Sequence, residues 1–417
     1  MIKLYRETQE FGEYGCFDTE SGRFTILLEQ EYLYLKRKIS SKDIFEGNCQ
    51  THTFFPRRIY FQITRRCNLL CPYCFIKADC NQHDVPSDIV LQMASYFGKM
   101  GLMEVRLTGG EPTIVKDFPT IVDAFQRENI YVSVSTNGLW SKPILNYFCS
   151  CPNLWLIVSI DGEENIHNKY RSDSYHRILS NLKYLRSCNS TIRIRINTVL
   201  TTENVTGIES IFQLAHKINA ESITFIPLRP QVRENTMHDL FLRAEQFQQA
   251  LREMIRLKEK YEVDFTTTIE TIYKEYIFPD AVFKKGSSCA AGREGANLDF
   301  DFYRKEFIVY GCSYSPASDL TENPHIRAPF LAGAFPFDQP EKFGKIWEDD
   351  ACWEIYRDLG NKSEECRTCQ YYRNRCTGSC PIQNIDFSAL NLQKNILEQI
   401  KNQMKKNGEW YCYKNFL

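Results

Sequence analysis

From Arg58 onward, apolar runs of strand length alternate with segments whose apolar residues recur at helical spacing. Arg58–Thr64 (RIYFQIT) has the density of a buried strand. Behind it Ile89, Met93, Phe97 and Met100 mark one stripe of a helix. The alternation then repeats. Met103–Gly110, Ile130–Gly138, Leu154–Gly162, Thr191–Leu200 and Ser222–Leu228 read as strands. Between them, Phe118, Ile121, Val122 and Phe125, then Ile178, Leu182 and Leu185, then residues 204–218, read as helices. Six strand–helix alternations predict parallel strands with helices outside, as a partial barrel or an open doubly wound sheet. Both place the active site at the C-terminal ends of the strands, and each strand here ends in polar or glycine-rich residues.

The flanks read differently. Residues 1–56 suggest a small module: strands over Lys3–Phe11 and Cys16–Leu28, a helix over Glu29–Ile39, and turns at Gly12, Gly15 and Gly22. It is too short for a large core of its own and is expected to dock on the rest. Past residue 280 the alternation stops; cysteines, glycines and short aromatic strands take over until a helix over Asn391–Lys406. The expected domains are therefore 1–56, 57–280 and 281–417.

Composition narrows the function classes. With 51 basic and 52 acidic side chains among 417 residues, the net charge of -1 argues against a broad nucleic-acid footprint. The N-terminus lacks the apolar core of a signal peptide, and no apolar run reaches the roughly 18–20 residues of a membrane span. A cytoplasmic protein is expected, with neither nucleic acid nor membrane as partner. Its 17 cysteines are too dilute for a disulfide scaffold, which makes their clustering the informative feature.

The first cluster is Cys67, Cys71 and Cys74, a CX3CX2C loop at the end of the first long strand. Three thiolates from one loop can hold three irons of a [4Fe–4S] cluster and leave the fourth iron open. The alternatives are zinc or buried inert thiols, although protein zinc sites use four ligands and only His83 is nearby.

With its accompanying motifs, this loop resembles the radical S-adenosylmethionine (SAM) enzymes. The resemblance implies a partial (β/α)6 barrel in which Cys67, Cys71 and Cys74 bind a cluster that chelates SAM. It implies that Tyr73 contacts the adenine. Gly109, Gly110 and Glu111 match the family's GGEP motif beside the methionine amino group. Asn137 (in STNG) and Ser159 (in SIDG) fall on motifs lining the ribose and carboxylate side, and Arg171 matches an arginine that pairs with the SAM carboxylate. A guanidinium suits that partner because its fork can bind two oxygens.

The second cluster lies in the tail: Cys289, Cys312, then Cys366, Cys369, Cys376 and Cys380 as CX2CX6CX3C, and Cys412. Alone it fits a zinc ribbon as well as iron–sulfur ligation. Behind a radical SAM core it resembles the SPASM extension, which implies two auxiliary [4Fe–4S] clusters. Cys289, Cys312 and Cys380 would hold one, and Cys366, Cys369, Cys376 and Cys412 the other, with Cys352 a rival to Cys412. The family's central run is CX2CX5CX3C, so this one is a residue longer. No cysteine closely follows Cys289, which leaves one ligand position of the first auxiliary cluster unfilled.

The resemblance implies hydrogen abstraction from a peptide substrate with a leader segment, installing a thioether or carbon–carbon cross-link in a ribosomally made precursor. A flavodoxin- or ferredoxin-type protein would supply electrons. The alternatives are a sulfatase maturase forming formylglycine and a non-catalytic metal-binding partner protein. Residues 1–56 weakly resemble the peptide-docking modules of such maturases; an edge hairpin that steadies the barrel fits equally. The leftover thiols, Cys16, Cys49, Cys80, Cys149, Cys151, Cys188 and Cys352, are expected mostly as buried small hydrophobes.

Overall fold

The computed structural model describes residues 1–8, 11, 13–151, 153–229, 232–268, 289–357, 364–370, 382 and 385–406. The N-terminal segment forms β1 (Ile2–Arg6), β2 (Tyr14–Asp18), β3 (Arg23–Ile26), α1 (Glu29–Lys36) and β4 (Ile44–Glu46). They make a four-stranded sheet in the order β3-β2-β1-β4, with β4 parallel to β1. The long strand expected over Cys16–Leu28 is instead a hairpin turning at Gly22, which takes a positive φ of 66°. Gly15 lies within β2 rather than in a turn; a Cβ there would strike the Phe24 ring at 2.2 Å, which is why the strand needs a glycine at this position. Gly12 falls outside the described residues.

The central alternation takes shape as β5 (Arg58–Thr64), α2 (Ser87–Lys99), β6 (Glu104–Gly109), α3 (Phe118–Arg127), β7 (Tyr131–Thr136), α4 (Lys142–Ser150) and β8 (Leu154–Ser159). It continues through α5 (Glu164–Arg171), α6 (Tyr175–Cys188), β9 (Arg193–Leu200), α7 (Ile208–Lys217), β10 (Ser222–Pro227), α8 (Ala244–Tyr261) and β11 (Asp264–Thr267). Strands β5 to β11 are parallel neighbours in sequence order, one more than the six expected. Alternation sorts their side chains. Ile59, Phe61 and Ile63 join Val105, Leu107, Val132, Val134, Leu156 and Ile196 in the core beneath the helices. Tyr60, Gln62, Arg106, Ser133 and Asn197 occupy the opposite phase, which lines the lumen.

The break expected at residue 280 is not a break in the sheet. β12 (Gly295–Asp301) pairs in parallel with β5, and β13 (Glu306–Tyr310) and β14 (Leu331–Pro336) follow antiparallel, giving one sheet of ten strands among the described residues. The tail helix is Ile396–Lys406, and Ile396, Ile400 and Met404 enter a second core with Tyr310 and Phe330.

The N-terminal module closes the lower end of the lumen. Tyr5, Phe17 and Phe45 pack with Met103, Tyr131 and Trp155, all at strand beginnings. Lys3 donates to the Leu102 carbonyl (2.9 Å), Tyr5 to that of Gly101 (2.7 Å), and Arg193 to that of Ser21 (2.6 Å). Cys149 and Cys188 correct one expectation. The chain reversals after α4 and α6 bring their Cα atoms to 5.4 Å and the two form a disulfide. Among the other leftover thiols, Cys80 is exposed and Cys49 and Cys352 are partly buried; only Cys16 and Cys151 are buried.

Candidate functional site

The loop bearing Cys67, Cys71 and Cys74 leaves β5 at the upper end of the lumen and is clamped shut behind them. Arg66 grips Asp84 through Nε (2.8 Å) and a terminal nitrogen (2.7 Å), and the Cys67 amide donates to the Asp79 carbonyl (2.9 Å). Arg65, buried, donates to the Ile76 and Ser318 carbonyls and pairs with Asp299 of β12, which fastens the loop to the C-terminal region. From the far side, the Arg233 and Glu234 amides both donate to the Pro72 carbonyl at 2.9 Å.

Gly109 and Gly110 pack against the base of this loop. A Cβ on Gly109 would lie 2.0 Å from the Thr64 carbonyl, and one on Gly110 equally close to that of Arg66. The glycines thus allow two strand ends to touch, and Gly110 and Glu111 donate amides to those same carbonyls (3.0 and 2.8 Å). Glu111, expected at the methionine amino group, is fully buried, with its carboxylate accepting from the Thr113 amide and hydroxyl, the Thr136 hydroxyl and the Asn137 amide. Burial raises its pKa against those four donors. Asn137 in turn donates to Asn68 inside the cysteine loop (2.7 Å). Ser159 ends β8, partly exposed and in register with Asn197.

Asp161 is the hub on the other flank. It is buried, accepts from the Tyr73 hydroxyl and the Val199 amide (2.9 Å), and pairs with Arg171 Nε at 2.6 Å. Burial pulls its carboxyl upward, but the Arg171 guanidinium outweighs this and holds it below the usual carboxylate range. Arg171 lies 5.3 Å over the Tyr73 ring, and no described hydrogen bond uses its terminal nitrogens. His167 beside it accepts from the Asp161 amide, and burial lowers its pKa to about 4.

The donor set fits an iron–sulfur cluster. All three loop cysteines are free and partly buried, and each of Cys71 and Cys74 pushes up the Cys67 pKa, so the thiols are neighbours. Yet among the described residues no three His, Cys, Asp or Glu side chains converge on a point suited to a single ion. Three thiols from one loop match three irons of a [4Fe–4S] cluster and would leave the fourth iron open. Burial pushes the Cys67 thiol up to about 12, so loading must displace its proton.

In the tail, Cys312 follows β13 and accepts from the Tyr314 amide at 3.4 Å, and Cys289 is exposed just before β12. Gly311 is required by Tyr356, whose ring would sit 2.7 Å from a Cβ there. Cys366 and Cys369 share one turn, with the Cys369 amide donating to the Cys366 carbonyl (3.1 Å). Cys376, Cys380 and Cys412 lie outside the described residues. Cys352 contacts Asp349 and packs against the barrel core.

Residues 61–215 match the Radical SAM superfamily, a span that includes the cysteine loop, both glycines, Asn137, Ser159 and Arg171. The chain carries a radical SAM domain and is an enzyme of that class, which implies a [4Fe–4S] cluster and SAM. The PqqA peptide cyclase of Bradyrhizobium diazoefficiens is 22% identical over 387 residues, covering 87% of this chain and 93% of that protein. A cysteine-type anaerobic sulfatase-maturating enzyme of Clostridium novyi is 29% identical over 181 residues; the match spans 39% of this chain and about half (48%) of that enzyme. In fold, the chain is similar to Streptococcus suis SuiB bound to its precursor peptide SuiA. That likeness has a TM-score of 0.70 at 14% identity and covers 98% of this chain and 97% of that one. Among the described residues no helix is long and apolar enough to cross a membrane.

Sequence reasoning missed Asp161, Asn68 and Arg233. Asp161 had a signal, an acid inside the quoted SIDG motif; the other two act through contacts made only after folding.

Proposed function

We propose that this enzyme modifies a peptide, taking a hydrogen from a residue of a ribosomally made precursor and leading to a thioether or carbon–carbon cross-link. The extent of its likenesses carries the reading. The peptide cyclase is matched along nearly its whole length, and the fold likeness to SuiB extends over 98% of this chain. Formylglycine formation in a sulfatase, the alternative, has sequence support over 39% of the chain and, through the fold likeness to anSMEcpe (TM-score 0.58), over 83% of it.

With the cluster and SAM bound, the site would supply a 5'-deoxyadenosyl radical for hydrogen abstraction. The chain's own residues do the positioning. Cys67, Cys71 and Cys74 would hold the cluster, and Gly109 and Gly110 keep the β6 end against that loop. Asp161 holds Tyr73, which would contact the adenine, and engages Arg171 through Nε, which would leave its terminal nitrogens for the SAM carboxylate. Asn137 and Ser159 would line the ribose side. In the tail, Cys289, Cys312 and Cys380 would serve one auxiliary cluster and Cys366, Cys369, Cys376 and Cys412 the other, with electrons from a flavodoxin- or ferredoxin-type donor in the cytoplasm.

The N-terminal module would receive the leader. Among the described residues β3 is an edge of its sheet, with Ile26 at its end 55% exposed and Leu28 just beyond it 71% exposed. An extended peptide can add there as a further strand.

Anaerobically reconstituted protein given SAM and a strong reductant should release 5'-deoxyadenosine, and replacing Cys67, Cys71 and Cys74 together with Ala should abolish it. Undiminished release from the triple variant overturns the assignment. Mass spectrometry of a precursor co-expressed with the enzyme then reads the bond formed.

A further inference from the structure

Most arginines around the lumen have an acid. Arg58 and Arg106 share Glu104 (2.5 and 3.2 Å), Arg193 pairs with Glu221 (2.6 Å), Arg171 with Asp161, and Arg65 with Asp299. Arg229 has none among the described residues. It is 5% exposed, one terminal nitrogen donates to the Thr268 hydroxyl (2.6 Å), and its face lies 4.9 Å over the Tyr314 ring. Its Nε and other terminal nitrogen are buried with no partner. A dry guanidinium with two idle donor nitrogens is costly, and a site awaiting a ligand is a physical reason to keep one.

Its position fits that reason. Arg229 follows β10 and Thr268 follows β11, so both stand at the C-terminal strand ends. Tyr314 is two residues from Cys312, and its ring lies 5.4 Å from Phe75, the neighbour of Cys74. Leu228, the preceding residue, packs in one cluster with Tyr73. Arg229 therefore lies between the first cysteine loop and the start of the tail cysteines, where a reacting residue would have to sit.

We propose that Arg229 receives a side-chain carboxylate of the substrate, so that the peptide carries an aspartate or glutamate at or beside the residue that loses hydrogen. The inference rests on the peptide-modifying reading above and names its substrate class. A carboxylate matches a single guanidinium in charge and supplies acceptors for both idle nitrogens; an amide would leave the charge buried and uncompensated.

The test uses reconstituted holoenzyme with SAM and two pools of acetylated, C-terminally amidated hexapeptides. One pool contains Asp and Glu among its varied positions; the other has Asn and Gln in their place. Retention on ultrafiltration is read by mass spectrometry. Wild type should retain the acidic pool about tenfold or more over the other, the ratio a single charge-assisted contact gives. R229Q should lose the preference, and R229K, which keeps the charge, should preserve part of it. Equal retention by wild type, an unaltered preference in R229Q, or none in R229K overturns the proposal. A variant that still discriminates but binds SAM more weakly assigns Arg229 to the cofactor instead. Retention needs no turnover, so a failure to release 5'-deoxyadenosine would count against the proposed function and leave this measurement readable.

Discussion

The two ends of the lumen are built from the same residue types to opposite ends. At the lower end Arg58, Arg106 and Arg193 are matched to Glu104 and Glu221, and Arg106, Arg193 and Arg195 stack at 5.9, 4.5 and 4.1 Å on Trp155. The N-terminal module then seals that end. At the upper end Arg171 gives only Nε to Asp161, and Arg229 gives one nitrogen to a neutral hydroxyl. A closed charge network holds a fold together; one left incomplete holds a place for something else. The seven residues of β5 separate the ends by about 20 Å at ~3.3 Å per residue. A leader bound at the module, as proposed, would therefore have to run past the barrel wall before its core reached the cysteines.

The sharpest way to break the comparison is to remove one acid from each end. Asp161→Asn and Glu104→Gln each strand a buried arginine, and each should cost about 3–5 kcal/mol of stability in denaturant titration. Activity should separate them. Asp161→Asn also releases Tyr73 and Arg171, so the KM for SAM should rise about ten- to hundredfold in 5'-deoxyadenosine release. Glu104→Gln should leave that KM where it was. A rise in both would mean that the ends are not independent.

A smaller effect comes from pH. His52 and His167 are both held near pKa 4, against an ordinary value of 6.5. Burial is the main cause for each, seconded by Arg357 for His52 and by Arg171 for His167. Between those values the unfolded chain takes up protons that the folded chain refuses. The stability each contributes is thus complete above pH 6.5 and drains away as pH falls toward 4. The loss should be on the order of 2–3 kcal/mol per histidine. His52 touches Cys49, Thr51 and Asp350, and its ring meets Trp347 edge-on, below the site; His167 adjoins Asp161. Substituting either with Gln should halve the slope of the melting temperature with pH, and only His167→Gln should also disturb SAM cleavage.

How much of this was legible in the sequence follows the same division. Strand and helix periods are local, so the alternation from Arg58 to Leu228 could be read directly, and so could the cysteine spacing of Cys67, Cys71 and Cys74. The GG pair was visible, but its reason was not: the atoms it makes room for, the Thr64 and Arg66 carbonyls, lie more than forty positions earlier in the chain. Likewise β12 looked like the start of a separate domain because its partner β5 is over two hundred residues away. Arg229 has no spacing or motif to mark it. Its meaning lies in donors left unpaired, which only packing reveals.

The smallest predicted effect bears on whether the module is a plug or merely an attachment. Tyr5 is buried, stacks on Phe45 at 5.3 Å and donates its hydroxyl to the Gly101 carbonyl. Tyr5→Phe keeps the ring and removes one hydrogen bond, which should cost about 1 kcal/mol in denaturant titration. Gly101 sits at the turn after α2, where its positive φ of 84° and the Phe45 ring, 2.5 Å from any Cβ, already fix the backbone. The loss should therefore stay local: hydrogen exchange should quicken in β1 and β4 and not in the cysteine loop. Exchange that quickened around Cys67 to Cys74 would show the lower seal and the upper site to be one cooperative unit, and the contrast between the ends would be one of chemistry alone.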